Sequence, residues 1–344
     1  MRKVIISEQK FRNKITLVSF VCSMFVIWIH TSNLDVYGID SNSEGIARFT
    51  YIIEQLFGKV IVFATPMFFF ISGFLFFRNF KPSNIFDKYK SRIKSILIPY
   101  IVWNSIYYLF FVILTNVPAL SDYANASKYE FSLIAWLSSL WANEYYTLWF
   151  LKNLVIYIFI SPVLYIILKD WSRVPSGLIV LLVILNLGTV IQDVLIPDGL
   201  CMFMAGSYLA INHCYKAQYS SRLLSVWGLL IIILMFITGC RYLNDTTQVL
   251  FFIGIWYALD IFDLRQDNDM PYFMKITFFT YVAHDLILET LEKIWLLIMG
   301  VSPIFALLDY LCMPFITLSI LVTISKIFKR IVPGLWNILN GYRQ

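Results

Sequence analysis

Val60-Ile61-Val62-Phe63-Ala64-Thr65-Pro66-Met67-Phe68-Phe69-Phe70-Ile71-Ser72-Gly73-Phe74-Leu75-Phe76-Phe77 runs from Lys59 to Arg78 without one charged residue. The hydrocarbon core of a bilayer takes about 20 apolar residues of helix, so this stretch and the residues before it read as one membrane span. Pro66 removes a backbone donor and predicts a kink. Gly73 permits the close approach of another helix or of a ligand. Neither Ser72 nor Gly73 has to be more than packing.

The same pattern recurs along the chain. Ten spans follow, at ~14–33, ~51–77, ~95–115, ~148–168, ~177–192, ~199–212, ~223–240, ~247–262, ~275–298 and ~303–326. The fifth, sixth and eighth are short. Phe131–Trp141 is apolar but too short to span, and reads as a re-entrant or interfacial piece on the outer side. The expected fold is all-α, a polytopic membrane protein of about ten helices forming one domain over residues 1–344, without a separate soluble domain. Composition agrees. Of 344 residues 59% are hydrophobic, 18% aromatic and 14% charged, and mean hydropathy is +0.73. A soluble domain carries about 25% charged residues. The long apolar blocks also exclude the ~10-residue alternation of a membrane β-barrel. The five cysteines are scattered without a Cys-x-x-Cys pair, so they read as core residues, with no disulfide framework and no metal site.

The net charge of +6 is of the sign that nucleic acid attracts, but its placement argues against such a partner. Most of the 27 Lys and Arg residues fall at the N-terminus (Arg2, Lys3, Lys10, Arg12, Lys14), in the second connection (Arg78 to Lys94), in alternate connections after it, and at the C-terminus. The other connections hold Asp35, Asp40, Glu44, Asp122, Glu130 and Glu144 instead. Loops rich in Lys and Arg stay cytoplasmic. Both termini are therefore expected in the cytoplasm, and the number of spans is even. The charged N-terminus leads into an apolar run that ends in His30-Thr31-Ser32-Asn33 rather than in a small-residue cleavage site, so no cleavable signal peptide is expected.

Ionisable groups inside spans are costly, and each is a candidate for function. They are His30, Glu54, Lys59, Lys152, His284, Asp285, Glu289, Glu292 and Lys293. On a helical wheel, Ser23, Ser19, Thr16 and Arg12 fall within about 40° of His30, giving the first span one polar stripe crowned by the histidine. His30 lies about 24 Å up from Lys14, in the outer half of the bilayer and level with Glu54. A Glu54–His30 pair would orient the imidazole as a general base; the alternative is an interfacial, hydrated Glu54. Arg78, Lys90 and Arg92 can bind anionic lipid or a phosphorylated cofactor. Trp149 suits an interfacial anchor, and Lys152 lies close enough to the surface to snorkel outward.

Five blocks, in this order and spacing, resemble the acyltransferase family 3 of integral membrane acyltransferases. They are Val26-Ile27-Trp28-Ile29-His30, Pro66-Met67-Phe68-Phe69-Phe70-Ile71-Ser72-Gly73-Phe74, Lys90-Ser91-Arg92 leading to Ile98-Pro99-Tyr100, Leu148-Trp149-Phe150-Leu151, and Phe279-Thr280-Tyr281-Val282-Ala283-His284. One departure stands out: many members carry an arginine about three turns before the first-span histidine, where this chain has Ser19, with Arg12 on the same face two turns lower. The resemblance implies a multi-pass protein of a bacterial cell membrane. It implies transfer of an acyl group, often acetyl, from cytoplasmic acyl-CoA to a hydroxyl of an extracytoplasmic carbohydrate. Together with the intramembrane charges read above, it gives catalysis to His30 and Glu54, the acyl-CoA donor to Ser72, Gly73, Arg78, Lys90 and Arg92, with Arg12 in place of the missing family arginine, and substrate contacts to Trp149, Lys152 and His284. No metal enters. The expected partners are membrane lipid and a glycan or glycolipid acceptor. Direct transfer and a covalent acyl-histidine stay open. Two rivals remain. A transporter or flippase for a lipid-linked saccharide would show repeats and paired broken helices, for which Pro66 has no partner in the second half. A non-catalytic sensor of acyl-CoA or glycan would tolerate loss of His30.

Overall fold

The computed structural model describes residues 4–117, 130–142, 145–169, 199–213, 218–220, 222–237, 245–261 and 269–343. Among these the regular structure is helical, apart from an antiparallel pair of two-residue strands, β1 (Val4–Ile5) and β2 (Tyr219–Ser220). The helices are α1 (Glu8–His30), α2 (Gly45–Ile61), α3 (Ala64–Phe77), α4 (Ile85–Arg92), α5 (Ile98–Asn116), α6 (Leu133–Ala142), α7 (Trp149–Phe159), α8 (Ser161–Leu168), α9 (Leu200–His213), α10 (Arg222–Ile237), α11 (Asp245–Ala258), α12 (Tyr272–Lys275), α13 (Thr277–Met299), α14 (Pro303–Ile331) and α15 (Pro333–Leu339). The expected span ~177–192 lies outside the described residues.

Four described stretches are long and apolar enough to cross a membrane: Glu8–His30, Gly45–Phe77, Pro82–Asn116 and Pro303–Ile331. The pair α7 and α8 makes a fifth if counted together, bent by 63°. α9, α10 and α11 have 14, 16 and 14 residues. At about 1.5 Å per residue they fall short of the ~30 Å hydrocarbon core. α13 has the length, 23 residues, but carries the acidic and basic run from Asp285 to Lys293. The apolar piece Phe131–Trp141 largely forms α6, tied to α5 by Tyr108 Oη donating to Ser132 O at 3.1 Å and Ser139 Oγ donating to Asn104 Oδ1 at 2.9 Å.

Prolines set the breaks. Pro66 cannot donate to Val62, and the long second span duly divides there into α2 and α3. Pro162 follows the bend between α7 and α8. Pro314 sits inside α14, which runs on unbroken through it from Pro303 to Ile331. Before Pro99 the chain takes a five-residue π-helical turn, Ile93–Leu97, a distortion that such interruptions often accompany.

α3 lies at the centre, with Phe69, Phe70, Phe74, Phe76 and Phe77 buried. It packs most closely on α9. A methyl group on Gly73 would overlap Phe203 O, and one on Gly206 would overlap Phe70 O. This is the small-residue contact that brings membrane helices together when no hydrophobic drive separates lipid from protein. Gly73 is thus a helix-packing residue, its Cα pressed against the backbone of α9. On the other side, α1 packs on α3 and α13, and α13 on α14. Lys14 of α1 is buried against Asp260, Nζ to Oδ1 2.7 Å, and lies 4.4 Å from the Trp256 ring centre. A charge that deep is tolerated only when paired.

The first and last segments meet at one end of the bundle. Glu8 bonds Arg78, Arg78 and Arg92 line one crevice, and Arg92 and Arg343 line the chamber beyond it. His30 and Glu54 stand towards the opposite end.

Candidate active site

α1 runs unbroken from its Ser7 cap, whose side chain accepts from Lys10 N, to His30. Thr31 closes the helix by donating Oγ1 to Ile27 O at 2.8 Å. Trp28 Nε1 donates to Tyr310 O of α14 at 3.0 Å and fixes the rotation of the last turn. That turn presents His30 to α13. Its Nδ1 lies 3.9 Å from Asp285 Oδ1, and its ring centre lies 5.2 Å from that of His284. Sequence reasoning picked out both histidines and placed them on different spans; the tertiary structure brings them together.

His284 is fully buried, at 0% exposure. Its Nδ1 lies 2.6 Å from Tyr281 O. A carbonyl oxygen only accepts, so Nδ1 carries the proton and Nε2 holds a bare lone pair. That Nε2 is buried with no hydrogen-bond partner among the described residues. A buried polar atom left in this state usually serves a purpose. Around it, Tyr107 Oη donates to Val282 O at 3.2 Å and Tyr281 Oη donates to Thr147 O. These bonds clamp α13 to α5 and to the turn before α7.

The carboxylate expected at His30 was Glu54. The structure instead has Glu54 accepting from Ser32 Oγ at 2.6 Å and brings Asp285 to His30. A helix–helix register decides this: His30 faces α13, whereas Glu54 of α2 meets the chain just past α1. Asp285 follows His284 directly and was recognised as an intramembrane charge. Only packing singles it out among Asp285, Glu289 and Glu292.

Below this cluster lies a chamber of about 180 Å³. Ser19 of α1, Ser72 of α3, Phe150 of α7 and Tyr281 of α13 line its walls, and Arg92 and Arg343 its foot. Tyr281 connects the two regions, because its carbonyl holds His284. Arg92 also borders a second crevice with Arg12, Thr16, Arg78 and Glu8. The predicted polar stripe of α1 is therefore real. Arg12 and Thr16 line the crevice, Ser19 lines the chamber, Ser23 donates to Thr277 O of α13 at 3.4 Å, and His30 stands at the top.

The expected donor residues separate. Arg12, Arg78, Arg92 and Ser72 line these two spaces, whereas Lys90 is exposed on α4 and lines neither. Arg78 is held by Glu8 in a two-point pair, Nη1 to Oε1 3.0 Å and Nη2 to Oε2 2.6 Å. Glu8 also meets Arg12 at 3.4 Å, so one carboxylate offsets part of the crevice's charge. Of the expected substrate residues, only His284 joins the cluster. Trp149 packs on Phe69 at 5.8 Å between ring centres, and the neighbouring Phe150 lines the chamber in its place. Lys152 snorkels outward, donating to Trp141 O at 2.9 Å. Sequence reasoning missed Arg343, whose charge read only as a topology marker.

Helices that could span a membrane, holding a histidine pair above a chamber with a basic foot, define a class of multi-pass membrane protein with ionisable groups inside the bundle. The acyltransferase-3 family, described as an acyltransferase domain, matches residues 13–326. The chain belongs to that family and is an acyltransferase. It is also 25% identical, over 79% of its own length and 77% of the relative's, to the succinoglycan biosynthesis protein ExoH of Rhizobium meliloti (strain 1021). No solved structure matches it.

Proposed function

We propose that this acyltransferase moves an acyl group, in the first instance acetyl, from cytoplasmic acyl-CoA to a hydroxyl of an extracytoplasmic polysaccharide or other cell-surface glycan. The observation that carries this is the double place of Tyr281, which lines the chamber and whose carbonyl oxygen meets His284. A chamber with two arginines at its foot ends, at Tyr281, one helical turn from the His284–His30–Asp285 cluster. A phosphorylated carrier can lie at the arginines while its thioester reaches the histidines. The relative's succinoglycan is a polysaccharide, which favours a glycan acceptor.

In this reading the chain is a single transmembrane domain of a bacterial cell membrane, with ten spans and both termini cytoplasmic. The distribution of Lys and Arg supports that orientation. His30 takes the proton of the acceptor hydroxyl as its oxygen attacks the thioester carbonyl. Asp285 orients the imidazole and stabilises the imidazolium that forms. The C–S bond then breaks, and the departing thiolate receives the proton from His30. His284 Nε2, the bare lone pair beside His30, would accept a hydrogen bond from the acceptor hydroxyl and align it. No metal has a part.

Mass spectrometry of surface glycans tests the reading. Deleting the gene should remove one acyl mass, the intact gene should restore it, and a His30→Ala copy that still inserts should not. Full glycan acylation in the His30→Ala strain would overturn His30 as the base.

A further inference from the structure

The C-terminal turn carries a residue into the chamber that nothing in the sequence ties to it. After α15 the chain reverses at Gly341, whose φ of 62° lies in the left-handed region that favours glycine. A methyl group there would overlap both the Arg343 guanidinium and Ser95 O. The turn wraps the arginine closely. Trp336 and Leu339 are buried, and Trp103 Nε1 donates to Leu339 O at 3.0 Å, which fastens the turn beneath α5.

Arg343 is aimed by two contacts. Its Nη1 donates to Ser95 O at 2.8 Å, and its guanidinium lies 3.8 Å from the Phe278 ring centre. Ser95 is four residues before Pro99, which has no N–H to offer that carbonyl. The proline that follows the π-helical turn thus withholds a donor from a carbonyl that a remote arginine meets. Arg343 and Arg92 both line the chamber foot, and no Asp or Glu is among the described residues that line it. None of the described residues gives Arg92 a hydrogen bond or an ion pair. Burial, and then the charge of Arg92, press the Arg343 guanidinium below arginine's ordinary pKa. Two half-buried guanidiniums without a counter-charge in the chamber repel one another, and a phosphate ester is the anion their fork geometry fits.

We infer that Arg343, held by the Gly341 turn and paired with Arg92, is a phosphate-binding residue of the donor chamber, so that the C-terminal turn is part of the acyl-CoA site. This rests on the donor proposed above and adds a residue from the end of the chain. Phosphate esters come from the acyl carrier or from anionic lipid, and the experiment separates them.

Purified full-length protein in nanodiscs of zwitterionic lipid is titrated with acetyl-CoA and, separately, with S-acetylpantetheine, which has the thioester but no phosphate. Arg343→Gln should weaken acetyl-CoA binding about tenfold or more, the loss of one charge-assisted contact, and leave S-acetylpantetheine unchanged. Arg343→Lys keeps the cation, and so the fold, but loses the fork; it should weaken acetyl-CoA alone by about threefold. Gly341→Ala, which displaces the turn, should follow Arg343→Gln. Equal affinity for acetyl-CoA in wild type and Arg343→Lys overturns the inference, as does a matching loss for both ligands. If the wild type binds no acetyl-CoA but phosphatidylglycerol nanodiscs raise its thermal stability in an Arg343-dependent way, the phosphate is a lipid's and the inference also falls. Failure of wild-type acetyl-CoA binding alone strikes the donor reading itself.

Discussion

His30 Nδ1 lies 3.9 Å from Asp285 Oδ1, which joins the last turn of α1 to the middle of α13. That distance is loose for a hydrogen bond and suits a carboxylate that steadies a charge forming later. Asp285→Asn should therefore lower acyl-transfer turnover by at least about tenfold with little change in acetyl-CoA affinity. Glu54→Gln, which touches Ser32, should do much less. Turnover that falls equally in both variants would return Glu54 to the base.

The His284 tautomer gives a separate prediction. His284→Asn can still donate a side-chain N–H to Tyr281 O but has nothing at the place of Nε2. It should insert and melt like wild type, yet turn over about 10²-fold more slowly. A variant that loses its fold together with its activity would reduce His284 to a packing role.

Glu8 offsets Arg78 and Arg12 at the crevice. Glu8→Gln releases both cations, so acetyl-CoA should bind more tightly in it, by roughly twofold to fivefold, since half-exposed pairs are weak. The gain should shrink in high salt, because screening acts on exposed charges. A lower affinity at every ionic strength would mean that Glu8 instead holds Arg78 in its working position.

Gly73→Val tests the packing role of that residue against a donor contact. The added atoms meet the backbone of α9, which cannot rotate away. The expected result is poor insertion and loss of a monodisperse peak in fluorescence-detected size exclusion. Ser72→Ala, one residue before it but lining the chamber, should leave the peak intact. A well-behaved Gly73→Val protein with weakened acetyl-CoA binding would restore the donor role.

The break at Pro66 was legible because proline chemistry is local: a missing N–H acts on the same turn wherever the chain goes. The α1 stripe from Arg12 to His30 was legible for a similar reason, since helix geometry fixes which residues share a face. The Phe-Phe-Phe run of α3 was also readable, as a core helix. The partner of His30 was not. Glu54 and Asp285 are both carboxylates inside apolar helices, and only the rotation of α1 against α13, set in part by Trp28 on Tyr310 O, chooses between them.

By itself, then, the sequence determined the helical class and the polar face of α1, because apolar length and helical periodicity are properties of neighbouring residues. The tertiary structure decided three things: Gly73 serves packing, Arg78 is shared with Glu8, and Arg343 enters the chamber from the far end of the chain. The reason is common to all three. Whether a side chain in a membrane bundle faces a partner, a cavity or lipid depends on helix rotation and crossing, and these arise from contacts between residues remote in sequence.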